Sequence, residues 1–86
     1  MDDYIKQWKE EVEDILIEDK CLVESPIEGL SDLIWSCACR CISYDTEEMI
    51  KWFYTKIPAF DNKVPMNILK EDGEDELFSL VMTIHN

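Results

Sequence analysis

Three cysteines, Cys37, Cys39 and Cys41, fall within five positions of the segment WSCACRCIS. Thiolates at this density could ligate zinc or take part in disulfide exchange. Zinc sites usually draw their ligands from two Cys-x-x-Cys turns, whereas helical geometry rotates Cys39 well over a hundred degrees away from the other two thiols. We therefore predict no metal, with Cys37 and Cys41 buried as small apolar side chains and Cys39 modified first. Whether Cys21 approaches the Cys37/Cys41 face stays open.

Few other residues suit catalysis. A tuned acid, base or nucleophile most often needs a histidine within reach, and His85, beside the C-terminus, is the only one. The two glycines, Gly29 and Gly73, do not make a phosphate-binding loop. The sequence therefore predicts a protein that is not an enzyme and that uses no cofactor.

The charge balance is strongly acidic, with 20 Asp and Glu against 8 Lys and Arg and a formal net charge of −12. A chain of this charge repels phosphate backbones, which disfavours direct binding of nucleic acid. The carboxylates concentrate in residues 10–19 and 71–76. These runs could be solvated faces, or they could attract a basic partner.

No stretch of about 18 apolar residues predicts a membrane span, and the N-terminal residues DDYIKQWKEE do not have the pattern of a signal peptide. We expect a cytoplasmic protein without membrane contact. Its cysteines would then be reduced.

The periodicity predicts an all-α fold, a small single-domain bundle of four to five helices over residues 1–86. The first helix spans 3–19, with Tyr4 and Ile15 on its apolar stripe and Ile17 outside it. The others are a central helix from Pro26 to Ser43 capped by Ser25, one over 44–58 capped by Asp45 and stopped by Pro58, a short one opened by Pro65, and a last one after the break at Gly73. Residues 1–44 supply the N-terminal helices, and residues 45–86 form a second region.

The second region contains WFYTKIPAFDNKVPMNILKEDGEDELFSLVMTI, from Trp52 to Ile84. This stretch resembles the toxin-binding domain of Xre/MbcA/ParS-type antitoxins. That family's pattern has a Trp-Leu pair, a Leu-Gly-Gly turn, a Pro-Leu-x-Leu-Leu helix, a break and a last helix. The matching positions here are Trp52 and Phe53, Phe60, Pro65, Ile68 and Leu69, and Gly73. Phe53 replaces the leucine of the first pair. Asp61 and Asn62 replace the glycine pair, and both residue types tolerate left-handed turn geometry.

The resemblance implies a helical clamp that binds and neutralises a cognate toxin, often an NAD-degrading RES-domain enzyme. In that family the last helix and tail cover the entrance to the toxin's active site. The partner-binding residues implied here are Lys63, Pro65, Phe78, Met82, Ile84, His85 and Asn86. An acidic helix and the cysteine-bearing helix stand where many members carry a DNA-binding region, so regulation through DNA is in doubt.

A second hypothesis is an acidic decoy or immunity-type inhibitor, of the kind found in phages and mobile elements, that blocks a nucleic-acid enzyme by imitating phosphate charge. It requires a broad acidic face formed jointly by the first helix and residues 71–76. Exposed aromatic residues such as Tyr54 could also close a homo-oligomer, although a small core needs the same residue types.

Overall fold

Helices dominate the computed structural model, which describes residues 3–84 and confirms the all-α prediction. Five α-helices and one 3₁₀ turn occur in that range. Their bounds are α1 Asp3–Glu18, α2 Asp32–Cys41, α3 Thr46–Phe53, the 3₁₀ turn Pro58–Phe60, α4 Pro65–Asp72 and α5 Glu74–Thr83. Helix α5 contacts α1, α2 and α4, and α3 contacts α2 and α4. The second region therefore packs onto the first through α5.

Helix α1 buries a narrower stripe than its sequence predicts. Leu16 is buried, and Trp8 and Val12 are half-buried. Tyr4 and Ile15 are exposed, so their assignment to the apolar stripe is wrong. Helices α2 and α5 supply the main contacts of α1 and leave Tyr4 and Ile15 exposed.

Helix α2 begins six residues later than predicted. Ser31, not Ser25, is its N-cap, and the Ser31 hydroxyl accepts a hydrogen bond from the Ile34 amide at 3.1 Å. The stretch after Pro26 is a series of turns, and Gly29 has φ of +89°, which a right-handed helix cannot contain. The prediction that Ser25 and Pro26 begin the helix is therefore wrong.

The middle of α2 is buried on every side, from residue 33 to residue 38. This confirms that α2 is the central helix. Ser36, a polar residue, is also buried. Its hydroxyl accepts from the Val23 amide at 2.8 Å and donates to the Val23 carbonyl at 3.2 Å, so burial leaves it fully bonded.

Helix α3 begins as predicted and ends early. The Asp45 carboxylate accepts a hydrogen bond from the Glu48 amide at 3.1 Å, which confirms Asp45 as the N-cap. The helix ends at Phe53, well before Pro58. Proline therefore does not terminate α3 but opens the 3₁₀ turn that follows.

Gly73 separates α4 from α5, as the sequence predicts, with φ of +99° and ψ of 170°. Its amide donates to the carbonyls of Ile68 and Leu69, and its own carbonyl accepts from the Leu77 amide. The same residue thus closes one helix and opens the next. Backbone angles of this kind are adopted almost only by glycine.

We expect Gly73→Ala to lower the free energy of unfolding by about 1–3 kcal/mol, because an L side chain is strained at these angles. An added Cβ at Gly73 meets no atom within 4 Å, so the loss would come from the backbone alone. Urea denaturation followed by circular dichroism measures it. A synthetic chain with D-alanine at position 73, which favours positive φ, should retain the stability of the original; an equal loss in both would contradict this account.

Candidate partner-binding surface

Two depressions rich in carboxylates lie beside α1, near its contact with the start of α5. One is lined by residues that include Glu10, Glu13, Asp32 and Glu74. The other is lined by Ile5 with Asp72, Asp75, Glu76 and Ser79. We call the seven carboxylates of these two depressions the acidic face. The first helix and residues 71–76 thus contribute to one surface, as the decoy hypothesis requires.

Lys9 holds the two halves of the acidic face together. Its Nζ lies 2.9 Å from Asp75 Oδ1 and 3.3 Å from Glu74 Oε2. Burial acts to lower the pKa of Lys9, but hydrogen bonds and charge from Asp75 and Glu74 outweigh it and leave the pKa raised. Lys9 therefore stays cationic at neutral pH and fixes the start of α5 against α1.

Most of the carboxylates remain unneutralised. The ion pairs recorded between residues 3 and 84 involve only Asp19, Glu74 and Asp75 among the acids. Glu10, Glu13 and Asp72 are exposed to solvent. The acidic face therefore presents a negative potential that can attract a basic protein surface.

A tight turn connects the 3₁₀ turn to α4. The Ile57 amide donates to the Lys63 carbonyl at 3.0 Å, and the Asn62 amide donates to the Ile57 carbonyl at 3.0 Å. Asp61 and Asn62 both have left-handed backbone angles, with φ of 58° and 63°. The prediction that these two residues adopt left-handed turn geometry is confirmed.

The residues implied by the resemblance divide into an exposed set and a buried set. Lys63 is exposed at the end of the tight turn, and Met82 and Ile84 are half-buried at the end of α5. Pro65 is buried, and Phe78 is 0% exposed with its ring 5.0 Å from that of Trp8. In this conformation Pro65 and Phe78 position their helices and do not reach a partner themselves. His85 and Asn86 lie outside the described residues.

The thiols follow the prediction only in part. Cys37 is 3% exposed and belongs to the core, as predicted. Cys41 is half-buried at the end of α2 and does not belong to the core, so its assignment to the core is wrong. Cys39, predicted to be modified first, packs partly against the core. No reaction order between Cys39 and Cys41 follows from their similar burial.

Burial raises the pKa of Cys37 to about 12, and the neighbouring Cys41 adds to the shift while Arg40 opposes it. A thiol kept neutral in the fold ionises first in the unfolded chain, so folding should weaken as pH rises above about 9. We expect this thiol to remove up to roughly 1.4 kcal/mol of stability per pH unit between pH 9 and 11. Urea denaturation at each pH tests this against Cys37→Ala, which should lose that part of the slope; equal slopes would contradict it.

The structure gives the position of Cys21, which the sequence left open. It shares a groove with Cys39, Trp35 and Arg40, on the side of α2 that faces the segment after α1. It therefore lies on the side of α2 that carries Cys39, not on the Cys37/Cys41 face. Sequence spacing alone could not place it, because a turn and not a helix carries the chain from Glu18 to residue 31.

No group of three or more His, Cys, Asp or Glu side chains between residues 3 and 84 is arranged to hold a metal ion. No helix in that part of the chain is long and apolar enough to cross a bilayer. Every buried side-chain nitrogen and oxygen atom of the described residues has a hydrogen-bond partner. The polar side chains that could bind a partner therefore lie on the surface.

Comparison with known proteins gives no match to this chain, whether with family models, curated proteins or solved structures.

Proposed function

We propose that this protein binds and neutralises a partner protein in the cytoplasm, in the manner of an antitoxin, and that any chemistry belongs to the partner. A basic toxin, such as an NAD-degrading enzyme of the RES type, is the partner that the resemblance favours. The observation that carries the proposal is the local structure of residues 52–84. A left-handed Asp61–Asn62 turn, a helix opened by Pro65 and a break at Gly73 occur in the order that the family's pattern requires.

The end of α5 is the contact surface in this proposal. Leu77, Phe78 and Val81 face the core and are completely buried, which fixes the helix rigidly against its neighbours. Met82 and Ile84 are left partly accessible beyond that buried stripe. Apolar side chains held on a rigid helix can enter a pocket of the partner without a large loss of conformational entropy.

The test is co-expression with the product of the neighbouring gene. We expect that product alone to arrest growth, and co-expression of this chain to restore growth and yield a complex on size-exclusion chromatography. If the neighbouring product is toxic, and the folded chain neither binds it nor restores growth, the proposal fails.

A matched pair of variants tests the surface. Met82→Asp introduces a charge at the end of α5 and should weaken binding by at least about tenfold, as a charge at the centre of an interface commonly does. Ile17→Asp makes a similar apolar-to-acid change on α1, where Ile17 is 55% exposed, and should leave binding unchanged. Circular dichroism of both variants verifies that they fold. Equal binding by the two would exclude the end of α5 as the contact.

The acidic decoy is the second candidate, and the continuity of the acidic face favours it. Glu10 and Glu13 from α1 lie beside Glu74, which Lys9 joins to Asp75. A surface of this kind could occupy the phosphate-binding site of a nucleic-acid enzyme. In that case inhibition should depend on the acidic face and survive Met82→Asp.

A further inference from the structure

The groove that contains Cys21 and Cys39 has a volume of about 460 Å³ and a mainly apolar lining. It lies between the segment that follows α1 and the last turns of α2. The proposed binding surfaces do not use it. Two of the chain's four cysteines line it, which is a chemical feature that packing alone does not require.

The backbone at Cys21 is held in place by the end of α1. The Cys21 amide donates to the Leu16 carbonyl at 2.7 Å, and the Lys20 amide donates to the Ile17 carbonyl at 3.0 Å. Lys20 has a left-handed conformation, with φ of 58°. These bonds form a Schellman motif, which reverses the chain and aims the residue after the turn back along the helix.

Side-chain hydrogen bonds and one ion pair hold the segment 19–23 against α2. Val23 exchanges two hydrogen bonds with Ser36, and Asp19 Oδ2 lies 3.8 Å from Arg40 Nη1. Asp19, the first residue of the segment, pairs with Arg40, and Val23, the last, pairs with the earlier residue Ser36. The segment and α2 therefore run antiparallel. Cys21, midway between Asp19 and Val23, therefore lies opposite the residues midway between Ser36 and Arg40.

Only one of the three α2 thiols lies opposite Cys21 and outside the core. Cys37 points into the core, and Cys41 lies beyond the Asp19–Arg40 pair at the end of the helix. Cys39 lines the groove with Cys21. The register and the groove thus select the same pair of thiols.

We propose that Cys21 and Cys39 form an intramolecular disulfide on exposure to hydrogen peroxide. The Cys21 thiolate attacks the peroxide, the O–O bond breaks, and Cys21 sulfenic acid and one water are formed. The Cys39 sulfur then attacks the sulfenic sulfur, the S–S bond forms, and a second water leaves. Two electrons pass from the thiols to the peroxide, and both thiol protons end in water.

Cys21 is the thiol that is oxidised first. It lies in a turn outside any helix, and its Sγ contacts only the Asp19 carbonyl, at 3.5 Å, among hydrogen-bond partners in the described chain. Burial raises the pKa of Cys39, which slows its direct reaction with peroxide. Cys39 therefore acts as the resolving thiol.

Peptide mapping of the full chain tests the pairing. The reduced protein is treated with hydrogen peroxide and digested after Lys, Arg and Glu without reductant, which separates the Cys21 peptide from the one that carries Cys37 and Cys39. We expect these two peptides to be linked. Cys21→Ser and Cys39→Ser should each abolish the link, whereas Cys37→Ser and Cys41→Ser should retain it.

A thermal melt supplies a second readout. The disulfide closes a loop across the α1–α2 connection, so the oxidised protein should melt roughly 5 to 10 °C higher than the reduced protein. Peroxide should not raise the melting temperature of Cys39→Ser. A Cys37–Cys41 link, a link between chains, or sulfinic acid as the main product would each overturn the proposal.

Discussion

Phe53→Ala is expected to lower the free energy of unfolding by about 3–5 kcal/mol. Phe53 is 0% exposed at the end of α3. Its ring stacks on Trp35 of α2 at 6.0 Å between centroids and meets the edge of Trp52 at 4.9 Å. Removing it would leave a cavity where α2 and α3 pack together. Because small domains are stable by only about 5–15 kcal/mol, much of the stability would be lost.

The adjacent residue supplies the control. Tyr54 is 58% exposed, and its recorded hydrogen bond is made by its backbone amide, which alanine retains. Tyr54→Ala should change stability by no more than about 0.5 kcal/mol. Urea denaturation followed by circular dichroism compares the two variants. Similar losses for Phe53→Ala and Tyr54→Ala would mean that the α2–α3 contact is not formed as described.

Reversing charges on the acidic face is expected to slow association with a basic partner by at least about tenfold at low salt. The variant carries Glu10→Lys, Glu13→Lys and Asp72→Lys, three exposed residues outside the recorded ion pairs. The partner is the neighbouring gene's product, and surface plasmon resonance gives the association rate. The difference should fade as salt rises toward about 1 M, where screening acts over about 3 Å.

The control variant carries Glu18→Lys, Glu24→Lys and Glu28→Lys. These residues are also exposed and lie outside the acidic face. Each reversal adds two charges, so both triple variants move from −12 to −6 and differ only in where the change is made. Equal rates for the two would show that net charge, not the acidic face, governs association. A rate reduced only in the first variant, together with binding insensitive to Met82→Asp, would favour the decoy over the antitoxin-like contact.

Local signals predicted the second half of the fold better than the first. Asp45, Pro65 and Gly73 each act on a few neighbouring backbone groups, and each marks the helix boundary that the sequence indicated. Ser25 carries an equally good capping signal, yet α2 starts after Ser31. Gly29 lies between Ser25 and Ser31, and its positive φ is incompatible with a helix that begins at Ser25. That conformation cannot be read from a glycine in a sequence.

The surfaces could not be predicted from the sequence, because they are formed by tertiary contacts that hydrophobic periodicity does not specify. The acidic face joins α1 to residues separated from it by more than half the chain, and Lys9 and Asp75, which fasten it, are 66 positions apart. Cys21 lines the same groove as Cys39, and the left-handed turn at Lys20 directs the chain toward that groove. Phe78 was assigned to a partner surface by resemblance, and the packing of α5 against Trp8 buries it. Each of these outcomes depends on which helices pack together.

The position of α5 has a consequence for biosynthesis. The ribosome produces α1 first, while the residues that complete its packing, Leu77, Phe78 and Val81, are made some sixty positions later. Until α5 leaves the exit tunnel, the apolar sides of α1, α2 and α4 have no common partner. A nascent chain stalled before Gly73 would therefore expose the apolar surface that α5 covers and become a substrate for chaperones and proteases. Quality control would thus discard incomplete chains before they could occupy a partner.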